Sequence, residues 1–65
     1  MSLAFDRNTY GRLLAEYQPQ VITSEEEYER MLANAEQLIG SKNRSQEETA
    51  LLKVLVRLIE EYENQ

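Results

Sequence analysis

The apolar breadth of the last stretch of this chain constrains its fold more than any other feature. From Ser45 to Asn64 neither Gly nor Pro occurs. At about 100° per residue, Leu51, Leu55, Leu58 and Tyr62 fall into one tight stripe. Val54 flanks that stripe on one side, and Leu52, Val56 and Ile59 extend it on the other. The apolar arc covers about half the circumference, where an ordinary surface helix shows a stripe of ~100°. Such a helix must be covered from more than one direction. Either it lies between two other helices, or Leu52, Val56 and Ile59 form an interface with a second copy or a partner. Its last residues, Leu58-Ile59-Glu60-Glu61-Tyr62-Glu63, put carboxylates at the negative end of the helix dipole, where they are unfavourable.

Two earlier helices precede it. The first follows Asp6 and Asn8, either of which can serve as N-cap, and carries Tyr10, Leu13, Leu14 and Tyr17 at i, i+3, i+4 and i+7. Gly11 marks close approach to a neighbour or nothing at all, and Pro19 ends the helix by pushing Gln18 out of the right-handed helical region. Val21 and Ile22 then read as an apolar strap over the helices. The second helix opens at Thr23-Ser24-Glu25-Glu26-Glu27, where Ser24 with Glu27 and Thr23 with Glu26 are rival capping boxes. Its stripe is Tyr28, Leu32, Ala35 and Ile39, with Met31 and Leu38 beside it, and Gly40 is placed as a residue just past its end. Ser41 to Arg44 make a turn short enough for an antiparallel hairpin. Ser45 with Glu48 is a further capping box.

A chain of 65 residues is one small domain, able to bury only about 60% of its unfolded surface, and domains of this size often gain stability by oligomerising. It has no Cys and no His, which removes disulfide staples, the ordinary zinc and haem ligands and the commonest general base. The charge is −5, distributed as zero over residues 1–22, −2 over 23–45 and −3 over 46–65. With no basic stripe, direct nucleic-acid binding is not expected. Acidity suits solubility, or steering toward a basic protein. No apolar run exceeds three residues, so no membrane span is read, and the amino terminus from Met1-Ser2-Leu3 lacks the regions of a signal peptide. The expected location is cytoplasmic.

Glutamates are the abundant reactive group, but they lie off the apolar stripes and lack the Glu-x-x-His pairs of a carboxylate-bridged metal bundle. Ser24 and Ser45 are explained as caps. The tyrosines sit on apolar stripes as core residues with hydroxyls reaching the surface. Catalytic, metal and cofactor residues are therefore all read as none, and the chain as no enzyme.

The order of residues adds a likeness. Tyr10-x-x-Leu13-Leu14, Tyr17-Gln18-Pro19-x-x-Ile22 and Glu25-Glu26-Glu27-Tyr28 form one part of it. Ser45-Gln46-Glu47-Glu48 leading into Leu51-Leu52, Leu55 and Leu58-Ile59-Glu60-Glu61-Tyr62-Glu63 form the other. Together, from Phe5 onward, they resemble the amino-terminal helical region of HigA-like antitoxins, the helix-turn-helix regulators of type II toxin–antitoxin pairs. The resemblance implies contacts with a small basic ribonuclease toxin, or dimer contacts, in a region that precedes a DNA-reading domain. No such DNA-binding domain is read within residues 1–65, so DNA binding does not carry over.

The resulting expectation is an all-α, small three-helix domain built on an antiparallel helical hairpin, and dimeric. Its helices are placed at about 8–18, 24–39 and 46–63. It would act as a non-enzymatic interaction module, binding a basic toxin or itself through Leu52, Val56, Ile59, Glu60 and Glu63. The alternative is a stand-alone structural homodimer.

Overall fold

The computed structural model describes residues 4–65; Met1, Ser2 and Leu3, where the reading for a leader began, lie outside the described residues. Three α-helices make up the fold: α1 (Arg7–Tyr17), α2 (Glu25–Gly40) and α3 (Gln46–Glu63). Each start is capped. Asp6 is the N-cap of α1, its carboxylate accepting from the Asn8 and Thr9 amides at 3.0 and 3.3 Å. Those bonds, led by Thr9, hold the Asp6 carboxyl below its ordinary range. Ser24, not Thr23, caps α2, accepting from the Glu27 amide at 3.2 Å. Ser45 and Glu48 form a complete capping box, with bonds of 3.1 and 3.0 Å.

The helix ends differ more from expectation. Gln18 turns left-handed at φ 47°, and its amide closes on the Leu14 carbonyl at 2.7 Å. A side chain in that region is disfavoured, but Pro19 bars the right-handed alternative. The Arg30 guanidinium, reaching over from α2, donates to the Tyr17 and Gln18 carbonyls at 3.0 and 3.3 Å. Gly40 is the last residue of α2 rather than the residue beyond it, because Ser41 leaves in an extended conformation. Arg44 then donates to the Leu38 and Ile39 carbonyls at 3.0 and 3.2 Å. Cationic donors thus satisfy two helix C-termini whose own last turns carry no basic residue. Gly11 has nothing within 4 Å of where a Cβ would stand, so no close approach requires it.

α3 is the central helix. α2 runs antiparallel along it, and α1 packs on α3 while touching α2 only weakly. At the start of α1 the Asp6 amide donates to Glu47 at 2.6 Å; at its end lies Arg30. α1 therefore runs beside α3 in the same direction rather than across the hairpin. The core is a row on α3, Leu51, Leu55 and Ile59, against Met31, Ala35 and Leu38 of α2, closed over by Ile22. Its side chains are 0 to 7% exposed. α1 contributes only half-buried side chains, Tyr10, Leu13, Leu14 and Tyr17.

Two parts of the apolar pattern land differently from the sequence reading. On α2 the buried row is Met31, Ala35 and Leu38, the edge of the expected stripe, and Ile39 is 59% exposed. In the connector Ile22 is buried while Val21 is 59% exposed, since consecutive extended residues point to opposite sides.

Leu55 has no exposed surface, so Leu55→Ala costs about 2–5 kcal/mol, as much as the ~3–5 kcal/mol that a core of this size supplies. Thermal melts followed by circular dichroism are expected to show no cooperative transition for this variant. Glu47, buried at 8% exposure, ties α1 to α3. Glu47→Ala leaves the Asp6 amide unpaired and is expected to lower stability by about 1–3 kcal/mol, while Glu47→Gln, which keeps a carbonyl acceptor, loses less in the same urea titration.

Candidate partner-binding face

An antiparallel hairpin brings the first turn of α2 beside the last turn of α3. Tyr62 donates its hydroxyl to Glu25 at 3.3 Å, and Tyr28 donates in the reverse direction to Glu63 in a short bond. The two rings lie 5.0 Å apart between their centroids, tilted by 34°. These crossed phenol–carboxylate bonds fix the register of the open end. They also set Glu63, at the negative end of α3, beside the positive amino terminus of α2, so that the neighbouring dipole offsets part of the local cost.

Of the residues singled out in the sequence, Leu52, Val56, Glu60 and Glu63 follow one another at i, i+4, i+8 and i+11 on one side of α3. Leu52 is half-buried, Val56 is 37% exposed, and Glu60 and Glu63 are exposed. Ile59 is not among them: it is 7% exposed and packs in the core. Its wheel position, read as the outer flank, is where α2 crosses.

The same face continues on α2, where sequence reasoning missed it. Glu25, Glu29, Leu32 and Glu36 follow at i, i+4, i+7 and i+11, and Ile39 lies one turn further on. Counting back along the hairpin from Tyr28 and Glu63 sets Ile39 level with Leu52. Two adjacent stripes therefore set Ile39, Leu52 and Val56 toward the turn and Glu25, Glu29, Glu60 and Glu63 toward the open end, with Glu36 between Leu32 and Ile39. Neither contains a Lys or Arg. The signal was available in the heptad-like spacing of the α2 acids, but it has meaning only once the hairpin register is known.

Among the described residues no group of His, Cys, Asp or Glu is placed to hold a metal ion, and no helix is long and apolar enough to cross a membrane.

The phenols report on the lock. The Glu63 carboxylate, with burial and the charge of Glu25, pushes the Tyr28 hydroxyl up to about 12 from its ordinary 10.0. Burial and Glu25 raise Tyr62 as well. A raised pKa means that the folded state favours the protonated donor. Its contribution is complete below pH 10.0 and is lost as pH climbs toward about 12. Tyrosinate absorbance is expected to show two of the four tyrosines titrating late. The thermal midpoint should fall over the same window, and Tyr28→Phe should remove one late titration and flatten that fall.

The family model described as the HigA antitoxin N-terminal domain matches residues 7–65, from the first residue of α1 to the end of the chain. No curated protein and no solved structure matches it. With the match running through all three helices and the turns between them, the chain belongs to the HigA antitoxin N-terminal domain family.

Proposed function

We propose that this domain is the non-enzymatic, cytoplasmic binding module of an antitoxin, and that its α2–α3 face docks a small basic toxin of the ribonuclease type. The observation that carries this reading is the paired stripe. Ile39, Leu52 and Val56 supply apolar area, and Glu25, Glu29, Glu36, Glu60 and Glu63 surround it with one sign of charge. Apolar area at the centre gives affinity by desolvation, while carboxylates around it steer a cationic surface into register and speed encounter. An acidic chain of −5 net charge suits such a partner.

Co-expression with the protein encoded beside it tests this. A small basic protein should co-purify, and reversing two exposed charges, Glu29→Lys with Glu60→Lys, should weaken the complex by about tenfold or more through a slower association. The double variant should melt as the parent does. Absence of a basic partner, or binding indifferent to these charges, ends the toxin reading.

The exposed Val56 and Ile39 also support the stand-alone homodimer as a rival use of the same strip. Sedimentation of Leu52→Glu and Val56→Glu separates the two. A change of association state in the isolated domain favours the homodimer; folded variants that sediment as the parent does remove this strip from self-association.

A further inference from the structure

The hairpin of α2 and α3 has two sides, and α1 lies on one of them. The groups that tie α1 down are Glu47 on α3 and Arg30 on α2. At about 100° per residue, Val56 stands about 180° from Glu47 around α3, and Leu32 about 160° from Arg30 around α2. The paired stripe is therefore on the side of the hairpin away from α1. There Leu32 and Leu52 are half-buried, while Ile39 and Val56 are exposed. On the α1 side, Tyr10, Leu13, Leu14 and Tyr17 pack against the core as half-buried side chains. A short helix covers one side; among the described residues no element covers the other.

Resting on the toxin reading above, we infer that the element received on this face is a single amphipathic helix of the toxin, laid along the groove between α2 and α3. Its apolar half meets the turn end and its basic half the open end. Backbone chemistry selects a helix. The middle turns of α2 and α3 bond their amides and carbonyls within themselves. An extended segment pressed on Leu32, Ile39, Leu52 and Val56 would find no partner there for its own backbone groups. A helix satisfies its backbone internally and offers side chains alone. Leu52 and Val56 at i and i+4, beside Leu32 and Ile39 at i and i+7, flank a groove in which a third helix can seat a ridge. The molecule holds its own precedent: α1, 11 residues with none fully buried, stays on the same hairpin.

Charge places the two ends of the occupant. Glu25 and Glu63 already accept from phenols. Glu29 and Glu60 are exposed and, among the described residues, take part in neither a hydrogen bond nor an ion pair. They stand toward the open end, where they can accept from Lys or Arg side chains on a helix whose other half sits on Ile39, Leu52 and Val56. From Leu52 to Glu63 the stripe is about 16 Å long, so about three helical turns fill it. A contact that short buries less than the ~1,200 Å² of a stable interface. The helix taken alone therefore binds weakly, and salt loosens it because the carboxylates are exposed.

Synthetic peptides of about 14 residues test the shape. The first carries Leu at i, i+3 and i+4 in one half and Lys on the same face of the other half. A second has Pro at its centre, and a third has Glu in place of Lys. Titrated against the whole chain from about 10 μM to about 1 mM, the first should gain helical circular dichroism on binding. Amide shifts of the domain should group on residues 29–39 and 52–63. The Pro peptide, which cannot continue a helix, and the acidic peptide should bind about tenfold or more weakly. Glu29→Lys with Glu60→Lys, and Ile39→Gln with Val56→Gln, should weaken the first peptide to a similar degree; all four side chains are exposed, and helix content should be unchanged. No binding of the first peptide, equal binding of the Pro peptide, or shifts grouped on α1 overturns the helix. So does a co-purifying toxin that depends on Glu29 and Glu60 but is not displaced by the peptide, and that result leaves the toxin reading standing. A peptide that binds as expected where no basic protein co-purifies supports the helix groove and ends the toxin reading.

Discussion

Because Leu51, Leu55 and Ile59 form the buried row of α3, the other helices have no core except the one they share with it. α2 supplies Met31, Ala35 and Leu38, and α1 covers the remaining side without burying any residue of its own completely. That dependence makes the molecule thin. Its Cα radius of gyration is 12.4 Å, against about 11 Å for a compact chain of this length. A thin body has much surface for its core. This is why the breadth of apolar character on α3 is not exhausted by folding: Leu52 and Val56 remain toward one side, and Val54 and Leu58 toward the other.

Polar ties between elements compensate for the small core. Glu47 holds the amino end of α1, Arg30 its carboxyl end, Arg44 the end of α2, and the Tyr28–Glu63 and Tyr62–Glu25 bonds the open end of the hairpin. In each case the donor or acceptor comes from beyond the helix it completes. Such bonds contribute about 0.5–1.5 kcal/mol each, more when charged. That is appreciable for a domain without a disulfide. They also explain how α1 stays in place on half-buried side chains, which by themselves would leave it among the least protected parts of the fold.

The three helices, their caps and the antiparallel hairpin were legible in the sequence, since periodicity and capping residues act locally. The central position of α3 was one of two coverings that its wide arc allowed. Which face of each helix is buried was less legible. A wheel orders side chains around one axis but does not say where the neighbouring axes lie, so Ile39 and Met31 exchanged roles, and Ile59 proved to be core. Glu47 carried a signal that can be recognised: it stands four residues before Leu51 on the Leu51–Leu55–Ile59 row, so its carboxylate had to be buried and needed a donor. The donor, a backbone amide forty-one residues earlier in sequence, is a tertiary fact. The acidic face was invisible for the same reason, since its two stripes lie on different helices.

The acidic end of α3 shows how a locally unfavourable choice becomes consistent at the level of the hairpin. Glu60, Glu61 and Glu63 each oppose the dipole of their own helix. Folding sets Glu63 against the amino terminus of α2 and a phenol that donates to it. Glu60 and Glu61 receive no such relief and stay in solvent, about 100° apart around α3. Glu60 continues the Leu52–Val56 stripe, and Glu61 continues the line of Lys53 and Arg57. Stability therefore accounts for one of the three carboxylates. The other two extend two chemically different lines on the solvent side of α3, Glu60 one of apolar residues and carboxylates, Glu61 one that carries both signs of charge.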